Sequence, residues 1–187
     1  VLINNCVKIA GIKIKAICDI WGNYNLNRAS QILTSFQQEH STYTDYQEML
    51  NNEKELDAVM IATPDFCHAQ QTVDCLKAGL HVYCEAPMSN TLEGAKQMAE
   101  AAKETGRLLQ IGHQRRSNPY YQFGFQHIIN ETKLLGDLTA MNSQWNRPVQ
   151  PMRGWPRRAP IAEDVLQKYG YTSMDQFRNW NWDKKLG

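Results

Sequence analysis

The chain has 187 residues, of which 21% are charged, with a formal net charge of +1. That length can bury one full core, or one domain and part of another. The basic pairs Arg115-Arg116 and Arg157-Arg158 stand apart, so no nucleic-acid partner is expected, and no apolar stretch reaches the length of a membrane span.

In chain order, Leu2 to Ala10 reads as the tail of a helix, stopped by Gly11 in the left-handed conformation. Ile12 to Cys18 is a β-rich run ending at Asp19. Trp21 to Asn25 reads as loop, and Arg28 to Gln38 as helix. Thr44 to Leu50 reads as a short helix capped by Thr44 or Asp45. Asp57 to Pro64 is an apolar run too short for a typical helix and stopped by a proline. His81 to Glu85 and Arg107 to Gly112 repeat that format. Between these runs Ala69, Val73 and Leu76 recur at helical spacing before Gly79. Leu92, Ala95, Met98, Ala99 and Ala102 form a second apolar face before Gly106, and Asn90 with Glu93 reads as its capping box. Tyr120 to Leu135 reads as a further helix closed by Gly136, and Leu138 to Trp145 alternates like a strand. Asn146 to Gly187 is rich in Pro, Trp, Arg and Gly and has little periodicity.

Strands alternating with helices specify an α/β fold with a Rossmann-like parallel sheet and right-handed crossovers. In such sheets ligands sit beyond the carboxyl ends of the strands. Residues 1–118 are expected to form this NAD(P)-binding unit. Residues 119–187 are expected to open an α/β substrate or oligomerisation domain. No G-x-G-x-x-G turn is present. The chain is expected to start where the helix after such a turn would be ending. The first strand and most of that helix would then precede Val1 and leave a gap in the sheet.

Several residues fall where a dinucleotide would lie. Asp19 ends the second strand of the expected sheet, where a carboxylate accepts both hydroxyls of an adenosine ribose and repels a 2′-phosphate, favouring NAD over NADP; alternatively it caps the next segment. Thr63 and Pro64 can approach a pyrophosphate or nicotinamide ribose, with His68 at the helix start; alternatively they make a simple turn with a surface histidine. Glu85 and Ala86 follow the next strand, where a carboxylate either binds ribose hydroxyls or is a solvated strand-end charge. Gln114 and Arg115 follow the last strand, where a guanidinium either neutralises cofactor phosphate or is part of a solvated basic turn. His40, His81 and His127 have no partner pattern and are read as surface or packing residues. The aromatic residues Trp155, Trp180, Trp182, Tyr120, Tyr121, Tyr169 and Tyr171 are read mostly as packing. The five cysteines show neither a C-x-x-C pair nor zinc-ligand spacing, and no metal site is expected. Reduced, buried thiols suit a cytoplasmic setting.

Taken together, Ala16-Ile17-Cys18-Asp19, Ala62-Thr63-Pro64 with His68, Ala78 to Pro87 and Gln110 to Arg116 resemble the Gfo/Idh/MocA family of nicotinamide-dependent sugar oxidoreductases. Phe177 to Trp182 resembles a subgroup feature of that family. The resemblance implies a Rossmann domain followed by an α/β domain with an open sheet. It also implies NAD contacts from Asp19, Thr63, Glu85 and Arg115, hydride transfer with a secondary alcohol of a sugar or cyclitol, and a homo-oligomer when full-length. Two relatives of this kind form the alternatives: an NAD-dependent glycoside hydrolase of the same fold, and a degenerate sugar- or protein-binding protein. Ala86 stands where the family usually has lysine, and a methyl group cannot supply proton transfer worth roughly 10²–10⁴-fold. The family's catalytic Asp/His segment is expected beyond Gly187. No catalytic acid or base is therefore named, and little turnover is expected of the isolated 187-residue polypeptide.

Overall fold

The computed structural model describes residues 2–144, 146 and 160–178. Helix α1 (Leu2–Cys6) precedes strand β1 (Ala16–Cys18). A π-helical turn (Gly22–Leu26) runs without a break into α2 (Asn27–Ser35). Then come β2 (Ser41–Tyr43), α3 (Tyr46–Asn52), β3 (Ala58–Ile61) and α4 (Asp65–Lys77). Strand β4 (His81–Glu85), helix α5 (Leu92–Thr105) and strand β5 (Leu109–Gly112) follow. Helix α6 (Pro119–Phe123) widens into a π-helical segment (Gly124–Glu131), and α7 (Glu163–Lys168) and α8 (Met174–Arg178) complete the order.

Every strand pair is parallel. Strand β1 pairs with β2, and β3–β4–β5 form a separate ladder; among the described residues no backbone pairing joins the two. The parallel strands thus fall into two ladders among the described residues. Within the larger ladder Ile61, Cys84 and Ile111 stand in one row, and Val59, Val82 and Leu109 in another. Period-two alternation sends both rows to one face. There they meet Cys75 and Leu76 of α4 and Met98 and Ala101 of α5 in one apolar core. The opposite face carries Met60, Tyr83, Glu85 and Gln110 and is thinly covered. Met60 is 45% exposed, with the Cys6 thiol of α1 against its sulfur at 3.5 Å.

A second core forms around the turn after β1. Trp21 has no exposed surface and packs with Ile161, Leu166, Tyr171 and Phe177. Phe177 stands edge-on to Trp21, with ring centroids 5.6 Å apart. Lys168 reaches Asp45 at 3.0 Å, and Asn23 donates to the Pro160 carbonyl at 2.7 Å. Residues 160–178 therefore pack onto the turn after β1.

Four expectations need correction. Trp21 to Asn25 is not loop, because burial of Trp21 winds the chain there, with Tyr24 and Leu26 donating to its carbonyl. Only Ala16–Cys18 of the long β-rich run pairs, because β2 is three residues long. Helix α5 is capped by Thr91, whose hydroxyl accepts from the Gly94 amide at 3.1 Å, rather than by Asn90. Residues 138–144 form no strand: Leu138 and Met141 are exposed and no partner strand lies alongside among the described residues. Trp145, Trp155, Trp180 and Trp182 lie outside the described residues.

Candidate functional site

The loops after β3, β4 and β5 share one edge because the three strands are parallel and in register, with Glu85 directly beside Gly112. Thr63 is exposed and donates its hydroxyl to Gln71 Oε1 at 2.7 Å. Pro64 precedes the first turn of α4. Ala86 is exposed, and the Ala86-Pro87 peptide is cis. Gln114 and Arg115 are exposed on the turn after β5. Arg115 sits at φ 70, a left-handed conformation uncommon outside glycine that concentrates at functional loops.

Asp19 ends β1, in the other ladder. Its Oδ1 accepts from the Trp21 amide at 2.7 Å, so the carboxylate does cap the following turn. Burial pushes its pKa up, while bonds from Trp21 and Asn25 oppose that shift. The Asp19 turn reaches the β3 loop through packing. Phe66, three residues past Thr63, lies against the same aromatic core as Ile20 and Trp21.

His68 lies beneath this edge instead of on the surface and is 1% exposed. Its Nδ1 is 2.8 Å from the Pro87 carbonyl and its Nε2 is 2.8 Å from the Thr63 carbonyl. It therefore bridges the loops after β3 and β4. Hydrogen bonds and strand pairing thus link Thr63, His68, Pro87, Glu85 and Gly112, while Asp19 stands in the other ladder.

The sequence reading missed Tyr83. Alternation puts it on the same face as Glu85, and its hydroxyl lies 3.4 Å from Glu85 Oε1. Burial, then the Glu85 charge, pushes the phenol pKa up. Gly112 makes this possible: a Cβ there would meet Tyr83 Cζ at 2.8 Å and Glu85 Oε2 at 3.0 Å. The Tyr83/Glu85 spacing of two residues was the available signal.

Thiolate chemistry finds no support at this edge. All five cysteines are free, and burial pushes the Cys67 thiol up to about 11 and those of Cys18 and Cys75 to about 12. Among the described residues no cluster of His, Cys, Asp and Glu could hold a metal ion, and no helix is long and apolar enough to cross a membrane. His127 has a partner after all, Glu131 one turn on at 2.5 Å. A groove of about 490 Å³ between α3 and α4, lined by Gln47, Glu53, Lys54 and Asp74, lies toward the amino ends of the strands, away from these loops.

Parallel strands whose carboxyl ends carry carboxylates and a guanidinium define a Rossmann-type, dinucleotide-binding class of protein. Residues 8–113 match the Gfo/Idh/MocA oxidoreductase family, NAD-binding Rossmann fold, and the chain belongs to that family. It is 28% identical over 169 residues to 4-carboxy-2-hydroxymuconate-6-semialdehyde dehydrogenase of Sphingobium, covering 90% of this chain and 51% of that protein. It is also 28% identical over 144 residues to inositol 2-dehydrogenase of Salmonella typhimurium, covering 76% of this chain and 41% of that one. Among solved structures it resembles scyllo-inositol dehydrogenase from Lactobacillus casei with bound NAD(H) and scyllo-inositol. There the TM-score is 0.63 at 26% identity, over 72% of this chain and 38% of that one. The chain spans about half or less of the length of these relatives.

Proposed function

We propose that the chain supplies the NAD-binding part of an oxidoreductase that acts on a secondary hydroxyl of a cyclitol or sugar. The supporting observation is the register that sets Glu85 beside Gly112 and gathers three strand-end loops, in a family defined by NAD binding. The side chains at these loops suit a dinucleotide: carboxylates for ribose hydroxyls and a guanidinium for phosphate. When bound, NAD supplies the hydride acceptor. In this reading Asp19 accepts from the adenosine ribose and disfavours a 2′-phosphate. Thr63 and Pro64 line the pyrophosphate or nicotinamide ribose, with His68 of α4 buried behind that loop, Glu85 and Ala86 flank the nicotinamide ribose, and Gln114 with Arg115 faces phosphate or a polar substrate.

The division into residues 1–118 for the cofactor and 119–187 for the start of a substrate domain belongs to the same proposal, as do a homo-oligomer and a cytoplasmic setting. The hydrolase and non-catalytic readings draw on Ala86 alone, and the names of the relatives favour neither. The test is NADH formation by the full-length protein, at about 1 mM NAD, with a panel of inositols and sugars. Turnover of at least one is expected. Absence of both turnover and NAD binding would overturn the proposal.

A further inference from the structure

Among the described residues His68 and Thr72 are the buried polar side chains, and His68 alone of the two can carry a charge. Both of its ring nitrogens face carbonyl oxygens at 2.8 Å, and a carbonyl oxygen only accepts. A neutral imidazole has one N–H and one lone pair. It would satisfy one carbonyl and set a lone pair against the other. An imidazolium donates to both.

We infer that His68 is a buried imidazolium clamp that ties the loop after β3 to the loop after β4 and so acts as a positioning residue for the edge on which Thr63, Glu85 and Ala86 lie. The binding of NAD at that edge rests on the function proposed above; the clamp itself does not. His68 is almost wholly buried, so it acts on a ligand only through the two loops it joins.

The surroundings bear this out. Burial opposes the charged ring. The Cys84 thiol on β4, the titratable group that faces it from the strands, and the two carbonyls favour it and raise its pKa to about 9. From the two loops it meets only the uncharged carbonyls of Thr63 and Pro87. The clamp is therefore closed at neutral pH. As pH rises through about 9 one of the two bonds is lost, because the neutral ring has a single proton to give.

The experiment is nitrogen-15 and carbon-13 NMR of the full chain, with His68 assigned by comparison with His68→Gln. At neutral pH both ring nitrogens of His68 are expected to carry protons. The carbonyl carbons of Thr63 and Pro87 are expected to shift together with a midpoint near pH 9 in the wild type and to stay flat in His68→Gln. A single protonated ring nitrogen at neutral pH would overturn the inference, and so would a wild-type titration that reaches only one of the two carbonyls. The wild-type measurement stands alone if the variant does not fold. Because neither readout contains NAD, failure of the clamp and failure of NAD binding are told apart.

Discussion

At the scale of single residues, the candidate edge depends on two buried positions, His68 and Gly112. His68 gives stability a pH dependence of definite sign. Its folded pKa, about 9, lies above the value near 6.5 expected in the unfolded chain. The folded protein therefore holds the extra proton. Its contribution is present in full below about pH 6.5 and is lost as pH rises through about 9, at up to about 1.4 kcal/mol per pH unit. Denaturant midpoints measured from pH 6 to 10, with His68→Gln as the flat control, check this. Gly112 gives the second prediction. Gly112→Ala forces a methyl into Tyr83 and Glu85 and should cost about 1–3 kcal/mol. It should also break the Tyr83–Glu85 contact, moving the Tyr83 phenol back toward its ordinary pKa, which ultraviolet titration reads. Thr63, Glu85 and Arg115 were legible from sequence because a strand followed by a polar loop is a local pattern. The depth of His68 was not, since a histidine four residues past Pro64 is equally compatible with a surface helix.

At the scale of elements, left-handed glycines close α4, α5 and α7, while α2 closes on a residue of another type. Helix α4 closes with Gly79 at φ 88, where the Gly79 amide reaches Leu76 and the Leu80 amide reaches Cys75. Helix α2 closes the same way, with the Gln37 amide on Thr34 and the Gln38 amide on Leu33, but its left-handed residue is Gln37 at φ 57. Gln37→Gly should raise stability by about 1 kcal/mol, read as a higher thermal midpoint with no change in the strand ladder. Strands β3, β4 and β5 could be read from sequence because each is an apolar run with its own stop signal. Strand β2 could not: Ser41-Thr42-Tyr43 is too short and too polar to announce itself, and it exists through its pairing with β1. The cap of α5 was misplaced by one residue because Asn90 and Thr91 are both competent caps, and only backbone geometry chooses Thr91.

At the scale of the whole molecule, residues far apart in sequence close the fold around Trp21. No local pattern links Trp21 with Tyr171 and Phe177, so this core was invisible until the chain was folded. Trp21→Ala should cost about 3–5 kcal/mol. Its effect should concentrate in residues 160–178, whose amide exchange accelerates while β3, β4 and β5 stay protected, because their core shares no buried residue with the aromatic one.

The convergence of the strand-end loops on one dinucleotide is tested most directly by an amide-exchange footprint of the full-length protein with and without NAD. Protection is predicted together at 19–21, 63–67, 85–88 and 113–116, with the groove between α3 and α4 unchanged. Protection confined to any one of those loops, or appearing at that groove instead, would contradict the account.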